Sequence, residues 1–205
     1  MRRFPTDALP AFKVFSNLKT PAAIQDFLNT LPFNFEKGAD TMYSPKEVLA
    51  RNTAHCLEGA LLAAAILWYH GEKPLLLDLE SEHPDQSHVV ALFKRDGRWG
   101  AISKTNHAVL RYRDPVYKNV RELALSYFNE YFLDSGKKTM RSYSKPFLLT
   151  TLTDDWLVSE KPLWHIEKML VRAPHESIAP ARALKRLRKA DAIEIAAGKI
   201  VERKK

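Results

Sequence analysis

The sequence predicts an α+β fold in which a central helix packs on an antiparallel sheet, followed by a helical, basic C-terminal extension. Three observations support this class. Residues 54–70 form a helix that is apolar almost all round, which is typical of a helix buried against a sheet. Short strand patterns follow it, two of them joined by a tight Asp96-Gly97 turn signal. Helical patterns rich in Lys and Arg then continue to the end of the chain.

The N-terminal third reads as loops and capped helices. Residues 1–19 lack a clear period and predict an extended leading segment. Thr20 can cap a helix that Pro32 stops. Ser44 opens a short helix with Pro at its first position and Glu three residues later, which is a capping box. The apolar helix of residues 54–70 ends at Gly71, a usual stop signal.

The remaining elements alternate between strands and helices. Predicted strands cover residues 75–79, 89–94, 98–103 and 146–152. Predicted helices cover residues 120–133, 163–170 and 178–201. We therefore expect one α+β domain over residues 1–160 and a helical extension with a basic tail over residues 161–205.

Charge is concentrated near the C-terminus. Residues 182–205 carry nine Lys or Arg against three acidic residues, a local excess of +6 out of a total net charge of +8. The rest of the chain is close to neutral, which argues against a nucleic-acid surface over the whole domain. The tail could contact an acidic partner or nucleic acid, although a solvated helix that aids solubility explains it as well.

Composition indicates a soluble, cytoplasmic protein. Apolar residues make up 45% of the chain, and its one cysteine cannot form an internal disulfide. The longest apolar run, residues 60–69, is too short to span a bilayer. We expect no membrane span and no cofactor, since the seven scattered glycines form no phosphate-binding loop.

Cys56 lies where the apolar helix begins. The first backbone N–H groups of a helix are unpaired and carry partial positive charge, so a thiol there tends to ionise. A thiolate is the form that attacks a carbonyl carbon, and a nucleophile of this kind needs a base within hydrogen-bond reach. His88, at the start of the second predicted strand, is the candidate base. The Cys56 N–H could then help to stabilise an oxyanion.

The residues from Ser44 to the hairpin resemble the transglutaminase-like core of the papain-like cysteine superfamily. The resemblance covers residues 44–106: a capping box, His55-Cys56-Leu-Glu-Gly-Ala, Ser87-His88-Val-Val-Ala-Leu-Phe and Asp96-Gly97-Arg98-Trp99. It implies a cysteine nucleophile, a histidine base and a third polar residue on the strand after the G-x-W hairpin. The implied activity is acyl transfer or amide hydrolysis on a peptide or another amide-containing substrate.

The third residue departs from the family. Ser103 stands in the register where the family usually carries aspartate, and it is one candidate to orient His88. Asn106 could orient His88 as the amide does in Cys-His-Asn sites, and we favour it, with Asp114 as a further candidate. The missing aspartate also leaves open a catalytically inactive scaffold that binds a partner through its basic tail.

Metal binding is the rival use of the same side chains. His55, Cys56, His83 and His88 are all residue types that zinc accepts. Their spacing matches no tight zinc signature, and a single cysteine is few for a structural site. We therefore expect no metal.

Overall fold

The structure, a computed structural model, describes residues 3–203 and mixes helices with one antiparallel sheet. Its α-helices are α1 (Pro21–Thr30), α2 (Pro45–Arg51), α3 (Cys56–Tyr69), α4 (Val120–Leu125), α5 (Trp164–Arg172), α6 (Ala181–Leu184) and α7 (Ala192–Gly198). Its strands are β1 (Leu75–Ser81), β2 (His88–Arg95), β3 (Arg98–Ile102), β4 (Arg113–Tyr117), β5 (Met140–Ser144), β6 (Phe147–Leu148) and β7 (His175–Ser177). Short 3₁₀ helices cover Thr6–Asn17, Phe128–Glu130, Leu149–Thr151 and Asp154–Leu157. This architecture confirms the predicted α+β class.

The sheet runs in the order β4-β3-β2-β1-β5-β7, and β6 also pairs with β1. Every pairing between these strands is antiparallel. The β2–β3 hairpin turns at Asp96 and Gly97, whose φ angles of 50° and 75° are the left-handed values that a two-residue hairpin turn requires. The hairpin was predicted from this dipeptide, and the turn geometry confirms it.

Helix α3 forms the centre of the core. Its residues from Leu57 to Trp68 are all buried, between β2 on one side and α1 and α2 on the other. Gly59 allows the closest approach, because a Cβ there would lie 2.4 Å from the Cβ of Lys104, just beyond β3. Only a residue without a side chain lets α3 come so near the segment that follows β3. The predicted buried helix is confirmed.

The opposite face of the sheet is covered by α4 and by aromatic side chains. Tyr127 and Tyr131 are buried there, and their hydroxyls donate to the carbonyls of Arg111 (3.0 Å) and Leu79 (3.3 Å). The helix predicted over residues 120–133 therefore ends early, at Leu125.

Other predicted elements are shorter than expected. The leading segment is a 3₁₀ helix over Thr6–Asn17 rather than an extended segment. The strand predicted over residues 146–152 is paired only at Phe147–Leu148. Three strands were not predicted, β4, β5 and β7, because their polar residues give no apolar alternation.

The helix predicted over residues 178–201 is two short helices, α6 and α7, with irregular chain between them. Neither helix has a buried residue. Most helical stability in proteins comes from packing an apolar face, so propensity alone does not hold this basic stretch in one helix. Of the predicted basic tail, residues 204 and 205 lie outside the described part of the chain.

The predicted division at residue 160 stays a prediction. Beyond that point, α5 contributes Ile166 and Leu170 to the core around α3, and β7 extends the sheet by pairing with β5. Within residues 3–203, no helix is both long and apolar enough to cross a membrane.

Candidate active site

Cys56 is the first residue of α3, and local hydrogen bonds fix this helix start. His55 is the N-cap: its Nδ1 accepts from the Leu57 N–H at 3.3 Å. The Glu58 side chain reaches back to the His55 N–H at 2.9 Å, which completes a capping box. This arrangement keeps the thiol at the end of the helix, where the unpaired N–H groups point.

Glu58 is fully buried and ties three segments to that helix start. Besides the His55 N–H, its carboxylate accepts hydrogen bonds from the Thr41 hydroxyl (2.8 Å), the Tyr43 N–H (2.9 Å) and the Asn34 amide (3.1 Å). A buried carboxylate is tolerated when its lone pairs are occupied in this way. The loop before α2 is thereby fixed beside Cys56.

The Cys56 thiol is partly buried, and the side chains of His55 and His88 both act on its ionisation. Burial opposes ionisation and acts to raise the pKa of Cys56. The hydrogen bonds and the charges of the two histidines outweigh burial and lower the pKa to about 5. At neutral pH the sulfur is therefore a thiolate, the nucleophilic form.

His55 is the cationic neighbour of this thiolate. Burial acts to lower the pKa of His55, but its hydrogen bond with Cys56 and the charges of Cys56, Glu58 and Glu36 raise it to about 9. Its Nε2 lies 3.3 Å from Glu58 Oε1 and 3.1 Å from the Thr41 carbonyl. A protonated Nδ1 cannot accept a hydrogen bond, so the Leu57 contact is made only by the neutral ring. When His55 is protonated, the bond from the His55 N–H to Glu58 still fixes the helix start.

His88 is the first residue of β2 and is buried beside the start of α3. Its Nε2 lies 2.8 Å from the Ser103 hydroxyl oxygen. That hydroxyl donates its single proton to the Leu110 carbonyl at 2.5 Å, so it can only accept from His88. The bond therefore places a proton on Nε2 and leaves Nδ1 as the nitrogen available to the thiol.

Gln25, on α1, holds Ser103 in place, and sequence reasoning missed it. Its side-chain oxygen accepts from the Ser103 N–H at 2.9 Å, and its side-chain nitrogen donates to the Ser103 carbonyl at 2.8 Å. The only sequence signal is a polar residue on the apolar face of α1, next to the buried Ile24. A polar side chain can be buried here because its amide forms hydrogen bonds with main-chain N–H and carbonyl groups that have no strand partner.

Lys104 anchors the segment that leaves β3. It is almost fully buried, and its ammonium donates to the carbonyls of Leu28 (3.1 Å) and Leu31 (2.6 Å) at the end of α1. Burial lowers the pKa of Lys104 to about 8. A cation at a helix C-terminus is favourable, so this lysine fastens α1 to the chain that carries Ser103.

The three residues predicted as candidates to orient His88 lie in different surroundings. Ser103 is the one that lies against His88. The amide of Asn106 instead pairs with the main chain of Arg203: Nδ2 donates to the carbonyl at 2.9 Å, and Oδ1 accepts from the N–H at 3.1 Å. Asp114 is exposed on β4. The catalytic role of each of these residues stays a prediction.

Cys56 and His88 open onto a cavity of about 390 Å³. One wall is the segment after β3, from Lys104 to Leu110, and another is formed by Tyr131 and Phe132. The C-terminal strap, residues 190–203, supplies a third wall through α7. The cavity is large enough to hold part of a peptide beside the thiol.

The backbone around the thiol provides one oxyanion donor. Within residues 3–203, no protein acceptor is recorded for the Cys56 N–H, as expected for the first position of a helix. An oxyanion formed beside the sulfur would lie at this N–H and at the positive end of α3. Among the same residues, no group of three or more His, Cys, Asp or Glu side chains is placed to hold a metal ion.

Comparison with known proteins gives distant matches. No family model and no curated protein sequence matches the chain. A solved structure of Legionella pneumophila LapG matches 82% of this chain and 91% of its own, at 14% identity and a TM-score of 0.42. A second, of EGTA-treated L. pneumophila LapG, matches 49% of this chain and 64% of its own, at 18% identity and a TM-score of 0.36. Both similarities are loose, and the chain spans less than two thirds of the length of the second structure.

Proposed function

We propose that the chain is a cysteine-dependent acyl-transfer protein that hydrolyses amide bonds, with peptides as the substrate class. One observation carries the proposal: Cys56 and His88 line the same cavity, and His88 is in turn hydrogen-bonded to Ser103. A nucleophile, a base and a group that orients the base are the parts that such chemistry needs.

In the first half-reaction the Cys56 thiolate attacks the carbonyl carbon, and a C–S bond forms. The carbonyl oxygen becomes an oxyanion and accepts from the Cys56 N–H. Protonated His88 then gives its Nδ1 proton to the leaving nitrogen, and the C–N bond breaks. A thioester on Cys56 and a free amine result.

In the second half-reaction water attacks the thioester. Neutral His88 takes a proton from the water at Nδ1, the C–S bond breaks, and the thiolate is restored with a carboxylic acid product. Throughout both steps the Nε2–H of His88 stays directed at Ser103. The hydroxyl fixes the tautomer without supplying a negative charge.

The sequence resemblance to the transglutaminase-like core supports the same assignment of Cys56 and His88. Ser103 takes the register of the family's aspartate and also lies on His88, so we assign the orienting role to Ser103 rather than to Asn106. An uncharged acceptor stabilises an imidazolium less than a carboxylate does. We therefore expect a slower enzyme than one with aspartate at this position.

The proposal is tested through the thiol. We expect the rate of iodoacetamide alkylation of Cys56 to rise with a midpoint near pH 5 and to be flat at neutral pH. His88→Ala should raise that midpoint, whereas the control His165→Ala, an exposed residue of α5, should leave it unchanged. An alkylation midpoint above pH 8 in the unmodified protein would contradict an activated thiolate.

Turnover separates an enzyme from a scaffold that keeps the fold. With p-nitrophenyl acetate, we expect acetylation of Cys56 followed by repeated hydrolysis. His88→Ala should slow turnover by about 10²- to 10⁴-fold, the usual contribution of a general base. Acetylation without hydrolysis in the unmodified protein would favour an inactive scaffold.

A further inference from the structure

The C-terminal strap forms one wall of the cavity that holds the proposed nucleophile. Ile195, Gly198 and Lys199 of the strap line the same cavity as Cys56 and His88. A peptide that approaches the thiol from this side meets the strap first. The strap is the only part of the described basic tail that the cavity lining includes.

Beyond α7, the strap runs extended against the segment that follows β3. The Ala108 N–H donates to the Ile200 carbonyl at 2.9 Å, and the Glu202 N–H donates to the Asn106 carbonyl at 2.8 Å. His107 and Val201 face each other in an antiparallel bridge. These are the contacts by which proteins bind an extended peptide at an open strand edge.

The Asn106 side chain adds a second pair of main-chain contacts. Its amide donates to the Arg203 carbonyl and accepts from the Arg203 N–H. A side-chain amide that binds both the N–H and the carbonyl of one residue recognises the main chain, whichever side chain that residue carries. The same edge would therefore accept peptides of varied sequence.

This edge is continuous with the site. Only two residues separate Ser103, which holds His88, from Asn106, where the main-chain pairing begins. An extended peptide paired along residues 106–108 thus lies beside the cavity that contains the thiol.

Few apolar contacts hold the strap in place. Ile193 and Ile200 are 78% and 60% exposed, and α7 has no buried residue. Its ion pairs, Arg111 with Glu202 and Lys199 with Asp134, join partly or largely exposed side chains. Exposed pairs add little stability, and segments held mainly by exposed hydrogen bonds open at low cost.

We propose that the main-chain edge of residues 106–108 is the docking strand for an extended peptide substrate, and that residues 200–203 occupy it in the closed state. The assignment of the ligand as substrate rests on the proposed function. A peptide reaches Cys56 after it displaces the strap. The strap therefore competes with the peptide substrate for the edge of residues 106–108.

The test uses the full-length chain with Glu202→Pro, which removes the N–H bonded to Asn106. Glu202→Gln is the matched control, because it removes only the ion pair with Arg111. We compare Cys56 labelling by a polyethylene-glycol maleimide with alkylation by iodoacetamide. Glu202→Pro should raise the ratio of the bulky to the small rate about fivefold, the effect of losing one backbone hydrogen bond. Equal ratios in the two variants and the unmodified protein would overturn a gating strap.

A second measurement tests the docking edge. A synthetic peptide of residues 192–203, added in excess to the Glu202→Pro protein, should slow the bulky reagent again. The same peptide with Pro at the position of Glu202 should protect less. If neither peptide protects, residues 106–108 do not bind peptides. The iodoacetamide midpoint reports on Cys56 and His88 in either case, so failure of this proposal is distinguishable from failure of the proposed function.

Discussion

Helix α3 and the C-terminal strap meet at the same cavity but are held by different forces. The body of α3 is buried on all sides by apolar side chains. The strap is attached by hydrogen bonds and surface ion pairs, and its isoleucines Ile193 and Ile200 are largely exposed. Apolar burial makes one region part of the cooperative core, whereas the other can open by itself.

This difference shows how a rigid site can carry a removable cover. The groups around the sulfur must hold their geometry, and they stand on α3, β2 and the anchored start of the segment after β3. The strap needs to be displaced before a peptide can bind, and it buries little apolar surface. Changes in the two regions should therefore have different consequences for stability and for access.

The largest expected effect is that of Gly59→Ala. Alanine would gain about 1 kcal/mol of helix propensity. Its Cβ would also lie 2.4 Å from the Cβ of Lys104, an atom next to the main chain that cannot swing aside. Since overpacking of a core costs about 1–3 kcal/mol, we expect a net loss of up to about 2 kcal/mol in the free energy of unfolding, measured in urea.

Gly198→Ala is the matched change in the strap. Its Cβ would approach the ring of Phe132 at 3.0 Å, and that ring stands at the cavity rim. The free energy of unfolding should change by less than about 0.5 kcal/mol. A loss as large as that of Gly59→Ala would show that strap and core unfold together.

The next effect concerns the thiolate. Asparagine at position 55 can still cap α3 but removes the imidazolium beside Cys56. His55→Asn should raise the pKa of Cys56 above its value of about 5, because one stabilising cation is lost while His88 remains. The alkylation rate should therefore fall by a factor that approaches tenfold for each unit of pKa shift below about pH 5, and match the unmodified protein near pH 9. An unchanged midpoint would show that His55 acts only as a cap.

A smaller effect is expected at Gln25, the positioning residue behind Ser103. Gln25→Glu keeps an acceptor for the Ser103 N–H but loses the amide donor, and with it the hydrogen bonds to the Ser103 carbonyl and to Asn29, of which only the first concerns Ser103. One hydrogen bond of about 1 kcal/mol corresponds to about a fivefold fall in turnover of p-nitrophenyl acetate. Asn29→Ala removes the other partner of Gln25 and serves as the control, with turnover close to unchanged. Equal losses in both variants would argue against positioning through Ser103.

The smallest effect should come from Ile200→Ala. The side chain is exposed, and its carbonyl bond to Ala108 is made by the backbone. We expect a change within about 0.5 kcal/mol in unfolding and a rate of Cys56 labelling within about twofold of the unmodified protein. A marked increase in labelling would show that apolar contacts hold the strap.

Prediction from sequence succeeded where local signals and burial agree. The apolar run of α3, its stop at Gly71 and the Asp96-Gly97 hairpin were all predicted and are all present. It failed for β4, β5 and β7, which mix polar and apolar residues without a clear alternation and form because the sheet offers them a strand to pair with. The helix over residues 178–201 was also wrong, since propensity without packing did not produce one helix.

The residues of the site also fall into those that could be predicted from the sequence and those that could not. Cys56 at a helix start, and His88 at a strand start, could be read from spacing and from the family resemblance. Gln25 could not, because it lies 78 residues from the backbone that it clamps. The position of Asn106 against Arg203 depends equally on a contact across 97 residues.

The sequence alone determined that the thiol lies at the start of an apolar helix, because this is a local property of a few neighbouring residues. Only the tertiary structure decided that Ser103 meets His88, that Gln25 fixes Ser103, and that the strap lines the cavity. Those contacts join segments far apart in the chain, and their formation depends on how the sheet, α1 and α3 pack together.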